Sequence, residues 1–485
     1  MKSKSIKIIT AVFSVCITAV IIYYYINPYF FQLKIDTFHA VLYDLKYKFD
    51  ISDNYDVLYA SDTPQYVNIY ENIDEKFFHF GNFLFFRSNG KTDINILAEY
   101  TLKYTGFYKE SDIHNAIIKY NSLDPDTGFI ESGVTIFIPD SLPSLIKDWH
   151  NNKLSPIRHI KGLYFTGSNA GQKGFFNTVL KFKKAGINAI VFDVKDIPGI
   201  ISYKSSLEQV KKLNTHEKRS IDDISKLIRF LKNENIYVIA RIACFRDELL
   251  IRKRPDLAIQ SASTGSVWNK GSSELWLDPT NKEAQDYNIA LAVELARYGV
   301  DEIQFDYIRF PTAGDLSDAV YKYSYGRKSN QETITEFLAR AYEQIHKYKT
   351  NVSIDIFGIV AWGYSGDIIK TGQDIGMLSK YTDVISPMLY PSHFDNNFRG
   401  HSNPADYPYY FISEGNKKVS ALAGNETVIR PWLQAFNLRV TNYNEDYILQ
   451  QIKAADDTSS GGYLFWNAGN SYDVVYRALL SSAGK

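Results

Sequence analysis

The sequence has little cysteine and no excess of charge of either sign. Cys16 and Cys244 are its only cysteines, too few for a disulfide framework or a four-cysteine zinc site. Its 54 basic residues balance 54 acidic ones, whereas a dedicated nucleic-acid binder shows a basic excess. Hydrophobic residues make up 45% of the sequence, which predicts a folded protein. The length of 485 residues predicts roughly two or three folded units.

Motifs for several other chemistries are also missing. The chain has no His-Glu-x-x-His or His-x-x-Glu-His sequence, no Gly-x-Ser-x-Gly elbow and no glycine-rich phosphate loop. These absences disfavour zinc-dependent hydrolases and deacetylases, esterases and nucleotide-dependent enzymes. We therefore expect no metal, no cofactor and no nucleic-acid partner.

An uncharged apolar run covers residues 8–26 and follows Lys2, Lys4 and Lys7. About 20 apolar residues span a bilayer as a helix, and positive charge before them favours a cytoplasmic amino terminus. We predict that residues 1–26 form a cytoplasmic tip and a transmembrane signal-anchor, followed by a stalk of unknown structure at 27–81. A cleaved signal peptide is the alternative. In both cases the bulk of the chain lies outside the cytoplasm, in a periplasm or at the cell surface.

Residues 82–140 have a pattern of their own, with a strand, two helical stretches and a final strand. This segment resembles a degenerate LysM module, through Gly90, residues 120–123 and residues 130–133, which lead into 136–139. The resemblance implies a β-α-α-β fold that binds glycans containing N-acetylglucosamine. A small spacer domain is the alternative. Residues 141–156 are predicted to form a linker.

From residue 157 to 485 the chain alternates strands with helices. One helix is predicted at 220–233 with Ser220 as its cap, and others at 281–298 and 332–348. The eight predicted strands cover residues 162–166, 189–196, 237–245, 302–311, 352–358, 384–391, 428–436 and 461–468. Alternation of this kind indicates a parallel sheet, and eight repeats predict a closed (β/α)8 TIM barrel of the α/β class.

Polar residues interrupt the apolar strands at regular positions. Side chains alternate across a strand, so helix-facing Ile190, Phe192 and Val194 turn Asp193 into the barrel. The same rule turns further residues inward, namely Arg241, Gln304, Asp306, Asp355, Ser386, Met388, Tyr390, Arg430, Trp432, Gln434 and Trp466. Barrel active sites lie at the carboxyl ends of the strands, where these residues are expected to meet. For Asp193 and Arg241, an internal ion pair without catalytic function is the alternative.

Paired carboxylates with aromatic walls suit glycoside hydrolysis. We expect Asp306 to be the nucleophile or cation stabiliser and Asp355 the general acid/base. The predicted substrate-binding residues are Asp193, Arg241, Arg309, Tyr390, His393, Trp432, Gln434 and Trp466. Strand alternation would turn Arg309 towards the helices, so its place in the substrate site requires the strand to end before it. A structural salt bridge is the alternative. For His393 the alternative is a role in shaping its loop.

Several longer motifs carry a resemblance over the region from about residue 160 to the end. They lie at residues 299–311, 353–358, 386–393, 430–434 and 465–468. Through them the chain resembles a bacterial family of putative glycosyl hydrolase domains, an amylase-like TIM-barrel group. The resemblance implies that Asp306 is the fourth-strand nucleophile and that Asp355 stands where amylase-like barrels place a Glu acid. Chitinases place their catalytic acid two residues after the last Asp of the fourth strand. That position is Ile308 here, which disfavours a chitinase mechanism.

The sequence thus predicts a membrane-anchored, extracytoplasmic glycoside hydrolase. Its expected partner is a polysaccharide or peptidoglycan-like glycan of the cell envelope, or an exopolysaccharide. The alternative is a non-catalytic glycan-binding or envelope-scaffold protein with a degenerate barrel.

Overall fold

The computed structural model describes residues 75–483, except 81–82, 89, 108, 127, 142–150, 324–327 and 460. Over these ranges no helix is long and apolar enough to cross a membrane. The predicted anchor and most of the predicted stalk lie outside the described residues. The chain divides into two compact units between Pro143 and Ser144.

The first unit combines antiparallel strands with two helices. Its elements are β1 (Glu75–Phe80), β2 (Phe83–Ser88), β3 (Thr92–Asp93), α1 (Ile94–Leu102), α2 (Glu110–Tyr120), β4 (Phe129–Ile130) and β5 (Thr135–Ile138). β2 pairs antiparallel with β1 and β5, and β3 pairs with β4. Asp93 caps α1, because its carboxylate accepts the Asn95 N–H at 2.7 Å. The predicted strand, two helices and strand are present as β2, α1, α2 and β5, whereas β1 and the short β3 and β4 are additional. Glycan binding by this unit stays a prediction.

The second unit is a closed barrel of eight parallel strands. These are β6 (Ile160–Phe165), β7 (Ala189–Lys195), β8 (Tyr237–Ala243), β10 (Glu302–Asp306), β12 (Asn351–Phe357), β13 (Val384–Met388), a seventh strand in two pieces, β14 (Val428–Ile429) and β15 (Trp432–Gln434), and β16 (Gly462–Trp466). Each strand pairs with the next, and β16 returns to β6. Pro431, which has no N–H to donate, lies at the break in the seventh strand. The predicted TIM-barrel architecture is confirmed.

Helices follow the strands around the barrel. They are α3 (Gly167–Ala170), α4 (Phe175–Lys184), α5 (Glu208–Leu213), α6 (Ile224–Asn233), α7 (Glu248–Lys253), α8 (Lys282–Arg297), α9 (Asn330–His346), α10 (Ser365–Thr371), α11 (Ile375–Leu378), α12 (Pro408–Ala423), α13 (Glu445–Thr458) and α14 (Asp473–Ala483). A short antiparallel pair, β9 (Gln260–Ser261) with β11 (Ala319–Val320), joins the third and fourth strand-to-helix loops. Ser329 and Glu332 form a capping box at α9.

The predicted cap of α6 was wrong. The helix begins at Ile224, and Asp223 is the residue whose carboxylate accepts a first-turn N–H at 2.9 Å. Ser220 is not the cap, because Ile221 pairs with Tyr203 in a β-bridge, and the N–H groups of Ser220 and Ile221 bond the Ser202 carbonyl at 3.0 and 2.7 Å. Tertiary pairing with a preceding loop therefore delays the start of the helix.

The amino end of the barrel is filled by a buried ion pair. The Arg430 Nη1 lies 2.9 Å from Glu302 Oε1, and both side chains are fully buried. The hydroxyl of Tyr237 also donates to Glu302 at 2.9 Å. A buried charge needs this degree of pairing. The chemistry of the interior is thus left to the opposite, carboxyl end of the strands.

Candidate active site

The barrel interior contains the side chains that strand alternation predicts. Val191 of β7 packs inside the barrel against a cluster that includes Ile239 and Trp432. Asp193 lies two residues further along the same strand and therefore on the same face. Met388 and Tyr390 of the sixth repeat also join this interior cluster.

Arg241 is the centre of the site. Its Nη1 pairs with Asp193 and its Nη2 with Asp306. Its Nε lies 3.7 Å from Asp355 Oδ2. The internal ion pair considered for Asp193 and Arg241 is therefore present, but the same guanidinium serves two further carboxylates. One positive charge faces three acids, so the cluster disfavours full ionisation of all three.

Asp193 has a second partner in Tyr164, whose hydroxyl donates to its Oδ2 at 2.5 Å. Burial raises the pKa of Tyr164, and the neighbouring Asp193 charge raises it further, so the phenol stays a proton donor. Burial also raises the pKa of Asp193, against the opposing effect of Arg241. Tyr164 was not predicted, although it lies on the inward face of β6, where the same alternation rule would have found it.

Asp306 is the last residue of β10. Its Oδ2 accepts from Arg241, and its Oδ1 accepts the Tyr307 N–H at 2.6 Å. Donors at both oxygens stabilise the negative charge of this carboxylate. The predicted strand at 302–311 was too long, because Tyr307 adopts a left-handed conformation with φ 51° and turns the chain out of the sheet.

Asp355 has a different environment. Its Oδ1 accepts the Trp432 Nε1–H at 2.8 Å. Its Oδ2 is buried and has no hydrogen-bond partner among the residues that the structure describes. Burial, followed by the charge of Asp306, raises the pKa of Asp355 well above its usual value. The two predicted catalytic carboxylates thus share one guanidinium but differ in environment, since Asp306 has a hydrogen-bond donor at each oxygen and Asp355 is buried with a raised pKa.

Aromatic side chains cover the carboxylates towards the mouth of the barrel. Trp466 is half-buried, and its ring centroid lies 6.2 Å from that of Tyr164 and 5.7 Å from that of Tyr390. Phe436, also half-buried, lies 5.3 Å from Trp466. Phe436 was not predicted, although alternation along the seventh strand places it beyond Gln434 on the same face. These rings form a wall suited to the faces of sugar rings.

Two predicted substrate-binding residues have contrasting positions. Gln434 is buried, with its amide oxygen accepting the Ser392 N–H at 3.2 Å and its amide nitrogen donating to the Phe436 carbonyl at 3.0 Å. It therefore holds two loops together through both ends of its amide. His393 is exposed, and its ring lies 5.2 Å from Tyr390 at the mouth.

Arg309 lies beyond the end of β10, as its inclusion required. Its guanidinium stands 4.6 Å from the Trp276 ring and 4.1 Å from the Phe357 ring. It donates to the Phe310 carbonyl at 2.9 Å. Within the described ranges no carboxylate lies at ion-pair distance, so the alternative of a structural salt bridge is not found there. Burial lowers the pKa of Arg309 to about 10.

Comparison with known proteins identifies the barrel unit. Residues 162–472, more than half of the chain, match the model of the family described as "Putative glycosyl hydrolase domain". The chain belongs to this family. The family resemblance predicted from the sequence motifs is therefore confirmed. Among curated proteins, no sequence matches this chain.

Solved structures similar to this chain include three bacterial proteins. A hypothetical protein from Ruminiclostridium thermocellum is 35% identical over 40% of this chain and 96% of its own, with a TM-score of 0.36. The PgaB (BpsB) glycoside hydrolase domain from Bordetella bronchiseptica is 13% identical over 67% and 98%, with a TM-score of 0.48. The spore cortex-lytic enzyme SleL from Bacillus megaterium is 12% identical over 76% and 80%, with a TM-score of 0.41. Likenesses of this size say nothing about the chemistry of this chain.

The described acidic residues of the barrel do not form a recognisable metal site. In the part of the chain that the structure describes, no group of three His, Cys, Asp or Glu residues is arranged to hold a metal ion. The three acids around Arg241 are instead bound to its guanidinium and to the Tyr164 and Trp432 donors.

Proposed function

We propose that the barrel hydrolyses glycosidic bonds in a cell-envelope glycan or exopolysaccharide. The observation that carries this proposal is the unlike pair of carboxylates on Arg241. Asp306 accepts hydrogen bonds at both oxygens, whereas Asp355 is buried and favours its protonated form. Glycoside hydrolysis uses two carboxyl groups, one that faces the positive charge developing on the sugar and one whose raised pKa makes it a proton donor.

Asp306 is the proposed nucleophile or cation stabiliser. Cleavage of a glycosidic bond develops positive charge on the sugar ring, and a carboxylate on the facing side stabilises that charge or bonds to the anomeric carbon. The Tyr307 N–H and Arg241 hold the carboxylate in one orientation. A fixed carboxylate needs little rearrangement as charge develops, which lowers the barrier.

Asp355 is the proposed general acid/base. Its raised pKa favours the protonated form, and its Oδ2 has no hydrogen-bond partner among the described residues that would compete for that proton. The Trp432 Nε1–H fixes the other oxygen. A proton delivered from Oδ2 to the glycosidic oxygen would let the leaving sugar depart as an alcohol.

The second candidate function is glycan binding without turnover. The observation that favours it is burial, since Asp355 is only 1% exposed and Asp306 is largely covered. A guanidinium shared among acids can also be a purely structural arrangement. In that case Trp466, Phe436 and His393 at the mouth would bind sugar without cleavage.

The deciding experiment measures release of reducing ends from envelope glycans by the full chain. We expect release by the wild type, a loss of about 10²–10⁴-fold in Asp355→Asn, and at least as large a loss in Asp306→Asn. Asp457→Asn is the matched control. Asp457 is exposed on α13, so this substitution removes the same charge at a position away from the site. Equal release by Asp306→Asn would discard its role, and glycan binding without release would favour the second candidate.

The proposal places this activity outside the cytoplasm. The uncharged run at residues 8–26, with three lysines before it, supports a membrane anchor. The strand, two helices and strand of the first unit support a LysM-like glycan-binding role for residues 82–140. Protease treatment of intact cells would test the location. We expect the barrel to be digested while the amino terminus stays protected.

A further inference from the structure

Arg309 is a buried cation with very few partners. It is 6% exposed, and its one described hydrogen bond is to the carbonyl of the adjacent Phe310. A guanidinium carries five N–H donors, and burying a charge without a counter-ion is costly. With a pKa of about 10, Arg309 still keeps its charge at neutral pH.

The surroundings of Arg309 belong to the mouth of the barrel. Its neighbours are two rings from strand-to-helix connections and one from a strand end, namely Trp276, Tyr307 and Phe357, at 4.6, 5.5 and 4.1 Å. Phe357 is the last residue of β12, and Tyr307 directly follows Asp306. Tyr307 and Phe357 are both half-buried, so this part of the mouth reaches solvent.

A second guanidinium at the same place is already paired. Arg246 Nη1 lies 3.1 Å from Glu274 Oε1 and 3.4 Å from the Tyr307 hydroxyl. The Trp276 Nε1–H holds the other Glu274 oxygen at 3.1 Å. Because Glu274 is occupied by Arg246 and Trp276, Arg309 lacks a carboxylate partner among the described residues of this mouth.

We propose that Arg309 binds an anionic group of the glycan, so that the substrate is an acidic polysaccharide bearing carboxylate or phosphate. A guanidinium binds such oxyanions through paired, charge-assisted hydrogen bonds. The flanking aromatic rings hold the plane of the guanidinium N–H donors. Because Arg309 lies only three residues after Asp306, the anionic sugar would be next to the sugar at the reaction centre. This inference rests on the proposed function for its substrate, but anion selectivity is measured without turnover.

The test compares binding of monosaccharides to the full chain by titration calorimetry. The probes are glucuronate, glucose 6-phosphate and, as neutral counterparts, glucuronate methyl ester and glucose. We expect wild type to bind at least one anionic probe about ten to a hundred times more tightly than its neutral counterpart, as hydrogen bonds to charged groups predict. Which anion is preferred distinguishes a carboxylated from a phosphorylated glycan.

The variants separate a ligand site from a structural cation. Arg309→Gln should reduce the preference to within about twofold, and Arg309→Lys, which keeps the charge without the fork, should retain part of it. Arg297→Gln is the control, because Arg297 is exposed in the last turn of α8 at the amino end of the barrel. Circular dichroism confirms folding, and Arg309→Lys serves if the Gln variant does not fold.

Equal binding of anionic and neutral probes by wild type, or an unchanged preference in a folded Arg309 variant, would overturn the proposal. A wild type that prefers the anionic probe but releases no sugar would refute only the hydrolase. Release of sugar without anion preference would refute only the role of Arg309.

Discussion

Replacement of Arg241 by Met tests the electrostatic design of the site. Met has a similar length but no charge, so Asp193, Asp306 and Asp355 would lose their shared counter-ion. Breaking a buried ion pair by removing one partner costs about 3–5 kcal/mol. For a large domain, about 2 °C of melting temperature is lost per kcal/mol, so we expect a decrease of roughly 6–10 °C at pH 8.

The loss should depend on pH. The folded-state pKa values of Asp193 and Asp355 are already raised above 3.8, so the folded protein binds more protons than the unfolded chain in the window above that value. Stability from such groups is complete below the unfolded pKa and is lost as pH rises through the folded pKa. Removing Arg241 raises the folded-state pKa values of these acids further and so extends this pH window upward. As the pH is lowered from 8, the stability lost in Arg241→Met should therefore shrink by up to about 1.4 kcal/mol per pH unit for each acid that takes up a proton.

The assay is thermal unfolding of the full chain by circular dichroism at pH 5 and pH 8. Arg297→Met removes an exposed arginine of α8 that donates to the Tyr348 hydroxyl at 3.0 Å, and it should change stability by less than about 1 kcal/mol. A decrease for Arg241→Met that matches this control, or one that does not change with pH, would refute the reasoning.

Two further predictions concern stability. Asp355→Asn should melt at a higher temperature than wild type at pH 8, with a smaller gain at pH 5, because the raised pKa means that ionisation of Asp355 weakens the folded state; a lower melting temperature at pH 8 would contradict this. Gly358→Ala should cost about 1–3 kcal/mol, since its Cβ would lie 2.4 Å from the Met388 carbonyl oxygen. A Cβ at Gly366, in α10, would meet no heavy atom within 4 Å, so Gly366→Ala should instead increase stability by about 0.5–1 kcal/mol. Equal melting shifts in the two glycine variants would speak against the packing argument.

Much of the candidate site followed from one rule applied to the sequence. Alternation along apolar strands predicted that Asp193, Arg241, Asp306 and Asp355 face a common interior, and they meet there around one guanidinium. The same rule, applied to the first strand, would also have predicted Tyr164. Their catalytic roles stay predictions.

The rule also has a limit, which Gln434 illustrates. It faces inward as expected, yet both ends of its amide are bonded to loop backbone. Alternation specifies the face of a strand, because the pleat is local, but not the partner that a side chain finds there. Partners come from other strands at distant positions in the chain.

The sequence by itself determined the barrel, its eight repeats and the identity of the inward residues, because strand and helix periodicities are local properties of the chain. Only the tertiary structure decided where the strands end, how one arginine is divided among three acids, and that Arg309 has no carboxylate partner among the described residues. Tyr307 shows the reason: its left-handed turn after Asp306 moves Arg309 out of the sheet and between Trp276 and Phe357. Burial and charge balance depend on residues that meet only when the ring of strands closes, so local pattern does not contain them.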